Sequence, residues 1–285
     1  MADNFVSMIV TPLSRETLLQ AVNVLPAGPQ ILARLGTLLR DDSTNVEDVV
    51  AVIRRDNALT ARVLRVANSV AYRGEEPVAS LEEALVRVGF AEIYRITGFA
   101  VAAQVAGQFL PLYETTGAQL RENALLTALI MEALADAAGF DPRAAYTAGL
   151  LRGTGKIALD RAAKTANLEV SYDSGFGPLA DWEKATLGLS NCEASAVVLE
   201  GWRFSSVTID AIHDHYAPPG EKSLALLLNL AAGAAERCGH GLPGEVSYWD
   251  VAGERLLGCG IGSEQLDEAT RRALESFGPV RMAVA

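Results

Sequence analysis

The three histidines are the first residues to examine, because imidazole is the commonest metal ligand and a frequent acid–base group in enzymes. His213 and His215 stand two residues apart in IDAIHDHYAP, so on a continuous helix they point about 200 degrees away from each other. They can share one metal ion only if the helix ends between them, which Pro218 and Pro219 allow. The pattern favours one surface histidine and one held by a hydrogen bond, with His240 in a loop. Three histidines are too few for a multi-histidine metal centre.

The segment LLRGTGKIAL at residues 150–159 superficially resembles a phosphate-binding loop. It lacks the glycine that belongs five positions before Gly155, and Ile157 stands where such a loop needs a hydroxyl residue. It also follows a helical pattern instead of a strand. We therefore interpret Gly153 and Gly155 as a turn or a close contact between helices.

The remaining polar residues show no Ser-His-Asp order and no Cys-His pair. Asp214, beside His213, and Glu183, near a predicted helix start, are expected to be solvated or to cap helices. An arginine set could bind an anion, but we favour an exposed face that pairs with Asp56 and Glu47. Its members are Arg54, Arg55, Arg62 and Arg65.

The chain has 285 residues, of which 50% are apolar and 21% charged, and its formal net charge is -11. This balance excludes a disordered chain and leaves room for one large domain or two small ones. The negative charge argues against binding to a nucleic-acid backbone, which needs many Lys and Arg contacts. Three cysteines without zinc or disulfide spacing indicate a reducing compartment.

No basic segment precedes an apolar run at the N-terminus, so no signal peptide is predicted. The longest apolar stretch, residues 224–235, is shorter than the roughly 20 residues that cross a bilayer. We therefore expect a soluble, cytoplasmic protein.

Apolar residues recur at helical spacing along almost the whole chain, which predicts an all-α fold of roughly a dozen helices and no convincing strand pair. Residues 168–172 and 245–249 are expected to be loops. Helix starts are predicted at Asn45, Ser80, Asp141 and Ser190.

The sequence FLPLYETTG at residues 109–117 interrupts two helical regions. It predicts a boundary between an N-terminal helical lobe, residues 14–108, and a C-terminal helical lobe, residues 118–278. An amphipathic helix at residues 262–276 is expected to pack on the core, with a dimer surface as the alternative.

Three segments in order, residues 25–41, 46–72 and 77–96, resemble the N-terminal helical lobe of HDOD (HD-related output domain) proteins, a bacterial family. The resemblance continues in residues 144–159 and 183–218. It implies an N-terminal bundle packed on a lobe related to the HD phosphohydrolases. Single residues that match the family pattern include Asp56, Ala58, Leu59, Thr60, Arg62, Leu64, Asn68, Ser69, Ala84 and Gly89.

In active HD enzymes, His and Asp side chains hold divalent metal ions that activate water against a phosphoester. The resemblance places these ligand positions at Asn123, Arg152, Gly153, Asn191, His215 and Tyr216. Only His215 among them keeps a ligand of the family type. The resemblance therefore implies a vestigial site without metal, cofactor or catalytic residues.

Gly155 and Lys156 match the tail of the family's HD-x-G-K element. Arg152, Lys156 and His215 could therefore line a cleft that binds an anion without hydrolysing it. Alternatively, salt bridges of Arg152 and Lys156 fill the empty metal position. The sequence leaves both interpretations open.

The resemblance implies a non-catalytic signal-transduction protein, a stand-alone HDOD domain in a family often linked to cyclic-di-GMP signalling. Its expected partners are signalling proteins, with a nucleotide second messenger as a candidate ligand and with no nucleic acid and no membrane; the oligomeric state stays open. The alternative is a metal-dependent phosphohydrolase of the HD superfamily with atypical, carboxylate-rich ligands. A DNA-binding regulator is disfavoured by the charge.

Overall fold

The computed structural model describes residues 13–23, 28–41, 43–69, 72, 74, 76–107, 109–251 and 253–284. Residues 1–12, on which the signal-peptide prediction depends, lie outside this part. The α-helices in chain order are α1 (Arg15–Asn23), α2 (Gly28–Leu38), α3 (Val46–Ile53), α4 (Asn57–Ala67), α5 (Leu81–Val105), α6 (Gly117–Ala138), α7 (Pro142–Leu151), α8 (Thr154–Thr165), α9 (Leu179–Leu187), α10 (Asn191–Gly201), α11 (Ser206–Asp214), α12 (Leu224–Ala235), α13 (Gly253–Cys259) and α14 (Ser263–Val284). The predicted all-α fold is confirmed.

All four predicted helix starts are confirmed by their cap hydrogen bonds. The side-chain oxygens of Asn45, Ser80, Asp141 and Ser190 accept backbone N–H groups in the first turns of α3, α5, α7 and α10. At Asn45 and Ser190 the bond is reciprocal, because Asp48 and Glu193 accept the cap residue's own N–H.

The segment predicted as a lobe boundary forms a short hairpin of β1 (Phe109–Leu110) and β2 (Thr115–Thr116). The expectation of no strand pair is wrong here, because one 3-10 turn at residues 111–113 brings the two strands together. The Leu112 N–H donates to Asp160 Oδ1 at 3.1 Å, which ties the hairpin to α8. Helix α1 also packs on α8 and α10, so it lies beside helices of the predicted C-terminal lobe.

The core of the C-terminal half is built from α6, α7 and α12. Every residue of α12 is buried, which explains its unbroken apolar sequence. Helix α14 packs on α6 through Leu266, Ala269, Ala273 and Phe277, as the amphipathic pattern predicts. Leu274, assigned to the same face from the sequence, is 42% exposed. No helix in the described part of the chain is long and apolar enough to span a membrane.

Gly155 sets the distance between α8 and α10. A Cβ atom at this position would lie 1.8 Å from the backbone oxygen of Asn191, so only glycine fits. The Gly155 N–H donates to Ser195 Oγ at 2.8 Å. The predicted close helix contact is therefore confirmed, and it brings Lys156 of α8 towards the start of α10.

Two partners expected for the arginine set are different in the structure. Arg54 pairs with Glu82 at 2.7 Å instead of with Asp56 or Glu47. Asp56 is the N-cap of α4 and accepts the Leu59 N–H at 2.9 Å. Because the Asp56 carboxylate accepts this cap hydrogen bond, it does not form an ion pair with the neighbouring arginine in the described structure.

Candidate functional site

The structure brings the sequence-predicted site residues together in the middle of the C-terminal half. Helices α6, α8 and α10 and the ends of α7 and α11 supply five of them. With Glu183 and Glu245, these five residues form what we call the buried charge network. Its members are Asn123, Arg152, Lys156, Glu183, Asn191, Tyr216 and Glu245.

Arg152 lies at the centre of this network and is 2% exposed. One of its terminal nitrogens, Nη2, donates to Asn123 Oδ1 at 2.6 Å and to Glu245 Oε2 at 2.7 Å. Its guanidinium carbon lies 5.3 Å from the centre of the Trp249 ring, within cation–π range. Arg152 is therefore held on three sides by groups of its own chain.

Lys156 shares the same carboxylate. Its Nζ lies 3.1 Å from Glu245 Oε1, an ion pair whose angles fall outside hydrogen-bond geometry, and 4.6 Å from the centre of the Tyr113 ring. Tyr216 donates its hydroxyl to the same Glu245 oxygen at 2.8 Å. Burial alone would raise the pKa of Glu245, but the charges of Arg152 and Lys156 outweigh it and lower that pKa to about 2. The carboxylate thus stays ionised between the two cations.

Glu183 is the second buried carboxyl group; it is expected from the sequence to be solvated or to cap a helix, and the structure shows the second of these roles. It is fully buried and accepts hydrogen bonds from the Asn191 N–H at 2.7 Å, the Asn191 side-chain amide at 2.9 Å and the Tyr113 hydroxyl at 2.7 Å. Glu183 lies on α9, so it accepts the first backbone N–H of α10 from a different helix. Burial raises the pKa of Glu183, against the lowering effect of Lys156.

His215 and His213 differ as the sequence predicts. His213 is exposed and lies 2.6 Å from Asp214. His215 is fully buried, and its Nδ1 donates to the Ile212 carbonyl at 2.7 Å. Burial and the charge of Arg152 lower the pKa of His215 to about 3, so the ring is neutral. Its Nε2 has no hydrogen-bond partner in the described structure.

These residues do not fit a divalent metal ion. The position of the first HD ligand holds the guanidinium of Arg152, and the ammonium of Lys156 lies on the same carboxylate. Asn123 and Asn191 offer neutral amides that already donate to the protein. Among the described residues, no group of three or more His, Cys, Asp and Glu side chains could hold a metal. Two cations at the position that the resemblance assigns to the metal would repel a divalent ion.

Glu245 and Trp249 are the site residues that sequence reasoning misses. Both lie in the segment 245–249, which is a turn of 3-10 helix at 246–248 flanked by loop. The segment has no helical spacing to orient its side chains and lies beyond the resembling part of the chain. The available signal was weak: one acidic residue followed by aromatic residues, after LPG.

The anion-binding interpretation of Arg152, Lys156 and His215 stays a prediction. Glu245 already places its carboxylate between the two cations. An incoming anion would have to displace it. Gly153, the remaining predicted position, is the N-cap residue of α8 and contributes no side chain to the network.

A family model of the HDOD domain matches residues 25–218. The chain belongs to the HDOD domain family. The matched range covers α2 to α11 and most of the network, but it ends before Glu245 and Trp249. In this HDOD protein, Glu245, the carboxylate paired with both Arg152 and Lys156, therefore lies outside the matched range.

Solved structures share the fold over almost the whole chain. An HDOD domain protein from Geobacter sulfurreducens is 21% identical, with a TM-score of 0.66, and the match covers 95% of this chain and 98% of the other. A Shewanella amazonensis SB2B protein named "Putative phosphohydrolase" is 24% identical, with a TM-score of 0.62 and coverage of 94% and 97%. A Marinobacter aquaeolei VT8 protein named "Putative signal transduction protein" is 21% identical, with a TM-score of 0.69 and coverage of 94% and 64%.

One curated relative, an uncharacterized protein of Treponema pallidum (strain Nichols), is 24% identical over 261 residues. The match covers 90% of this HDOD protein but 50% of the relative. The chain thus spans about half the length of the curated relative that it matches.

Proposed function

We propose that this HDOD protein is a non-catalytic regulatory protein that acts by binding other molecules. The observation that carries the proposal is the ion pair of Arg152 and Lys156 with Glu245 at the position of the HD metal site. Hydrolysis in HD enzymes needs a metal-activated water at that position. Two fixed cations and a carboxylate of the chain lie at the position that the resemblance assigns to that metal, which supports a protein that binds other molecules and does not activate water.

The names of similar proteins point to both candidate functions, regulation and phosphohydrolysis. The Marinobacter protein is named for signal transduction and the Shewanella protein for phosphohydrolysis. The side chains of this chain favour the first. Its proposed partners are signalling proteins of the cytoplasm, and its proposed small ligand is a nucleotide messenger, with cyclic-di-GMP among the candidates to test.

Metal content and thermal stability test the proposal directly. The purified protein should contain no stoichiometric metal, and Mg²⁺, Mn²⁺, Zn²⁺ or Fe²⁺ should leave its melting temperature unchanged, because a ligand raises stability only when it binds the native state. It should also fail to hydrolyse bis-p-nitrophenyl phosphate with each metal.

Two histidine variants sharpen this experiment. His215 is the one remaining HD-type ligand position, whereas His213 is exposed and serves as the matched control. Stoichiometric metal that is lost in His215→Asn and kept in His213→Asn would overturn the proposal in favour of an atypical phosphohydrolase. Equal absence of metal in the wild type and both variants is the expected result.

A further inference from the structure

A groove beside α2 carries arginines that have few counterions. Two adjoining cavities, of about 680 and 170 Å³, share Ala33, Thr37 and Arg203. Among the residues that the structure describes, no aspartate or glutamate lines either cavity. We call the combined feature the arginine groove, after its lining residues Arg34, Arg40, Arg55, Arg143 and Arg203.

Most of these arginines lack a carboxylate partner. Within the described structure, Arg34, Arg55 and Arg203 form no ion pair or side-chain hydrogen bond, and Arg40 makes one 3.4 Å contact with Thr37 Oγ1. Only Arg143 is held, by the Leu39 carbonyl and, at 4.0 Å, by Asp141. Acidic residues outnumber Lys and Arg by 35 to 24 in this chain, so partners are plentiful elsewhere. The groove concentrates positive charge on a negatively charged protein.

Arg203 has an unusual backbone for an arginine. Its φ of 62° lies in the left-handed region. It follows the end of α10 in a turn closed by bonds from the Arg203 N–H to the Glu200 carbonyl and from the Phe204 N–H to the Leu199 carbonyl, both 3.0 Å. Glycine is the usual residue at this place in such a turn. An arginine kept in a conformation that suits glycine points to a use for its side chain.

We propose that the arginine groove binds a nucleotide that carries at least two phosphate charges. A guanidinium group matches a phosphate with two parallel hydrogen bonds, and the larger cavity has the size of a typical small-molecule site. Ser205 and Thr208, whose hydroxyl groups hydrogen-bond to each other at 3.1 Å, line the smaller cavity and leave one hydroxyl proton between them for a sugar. A long nucleic acid is disfavoured because the net charge of -11 repels its backbone.

The location of the arginine groove suits a site at which a bound ligand regulates the protein. Its lining comes from α2 and α3 on one side and from α7, α11 and the end of α10 on the other, so a bound nucleotide contacts both predicted lobes. The inference rests on the proposed regulatory function, for which it names a ligand class and a site. The buried charge network takes no part in it.

Isothermal titration calorimetry at a fixed salt concentration tests the groove with ADP, ATP and inorganic pyrophosphate, and with adenosine as the uncharged control. ADP and ATP should bind, and adenosine should not. Arg34→Gln and Arg55→Gln should each weaken binding about tenfold or more, since each removes a charge-assisted hydrogen bond. Arg65→Gln, an exposed arginine on α4 outside the groove, is the matched control and should leave the affinity unchanged.

Arg203→Gly separates binding from folding. Glycine accepts the positive φ, so the melting temperature should stay equal or rise while nucleotide affinity falls about tenfold or more. No binding of ADP and ATP, or binding that Arg34→Gln and Arg203→Gly leave unchanged, would overturn the inference. Tighter binding of a poly-glutamate peptide or a short oligonucleotide than of ATP would also overturn it. Failure here differs from failure of the proposed function, which would show as bound metal and hydrolysis.

Discussion

The buried charge network and the arginine groove lie in the same HDOD fold, but their cations differ in exposure and in pairing with carboxylates. In the network, Arg152 and Lys156 are each 2% exposed and both lie within 3.1 Å of Glu245. In the groove, Arg34, Arg55 and Arg203 are exposed and have no carboxylate partner in the described structure.

Solvation explains the difference. A buried cation loses its hydration and must recover that free energy from fixed groups of the protein, whereas an exposed arginine keeps its water and needs no internal partner. The network is therefore satisfied by the chain itself. The groove arginines remain available to an external anion.

The largest effect that we predict comes from Glu245→Gln. The variant keeps the shape of the side chain but leaves Arg152 and Lys156 buried without their shared carboxylate. Breaking a buried pair in this way costs about 3–5 kcal/mol. Urea unfolding followed by circular dichroism measures the loss.

Glu200→Gln is the matched control, because Glu200 pairs with Arg15 at 2.6 Å on the surface, with half of its side chain exposed. Its loss should stay below about 1 kcal/mol. A triple variant, Arg152→Met, Lys156→Met and Glu245→Leu, should recover most of the stability, since apolar groups replace the buried charges together. Equal losses for Glu245→Gln and Glu200→Gln would contradict the structural role of the network.

The sequence predicts the helices well and the site only in part. Cap residues such as Asn45 and Ser190 act within four residues of chain, so local spacing is enough to find them. The positions of Arg152 and Lys156 follow from the family pattern. Glu245 does not, because a loop residue far along the chain has no periodicity that would place it beside Arg152.

The groove is harder still to predict. Arg34 and Arg203 lie on different elements that only the packing of α2 near the end of α10 brings together. Arg55 was singled out from the sequence, but with Arg54, Arg62 and Arg65 as its companions. Tertiary packing selects a different set, because Arg55 lies in the turn between α3 and α4 and lines the groove with residues of α2, whereas Arg62 and Arg65 lie on α4 outside it.

A smaller effect is expected from pH, through His215. Its pKa is about 3 in the folded protein, against 6.5 for a free imidazole. Between these values the unfolded chain binds a proton that the native protein does not, so stability falls as the pH falls. From about pH 7.5 to 5.5 the contribution of this one group should be about 1.4 kcal/mol.

The comparison of wild type with His215→Asn isolates that contribution. Asparagine keeps a donor for the Ile212 carbonyl but does not titrate. Glu183, whose pKa is raised by burial, acts with the opposite sign but is present in both proteins, and Glu245 titrates only in stronger acid. Urea midpoints of the two proteins that fall in parallel from pH 7.5 to 5.5 would contradict the assignment.

The smallest change in stability is predicted for the groove. Arg34→Gln and Arg55→Gln remove exposed charges that have no carboxylate partner in the described structure, so the free energy of unfolding should change by no more than about 0.5 kcal/mol. Urea unfolding of each variant beside Glu245→Gln measures the contrast. A loss above about 1 kcal/mol would mean that the groove arginines support the fold. The contrast between the buried charge network and the arginine groove would then disappear, because the cations of both would stabilise the fold.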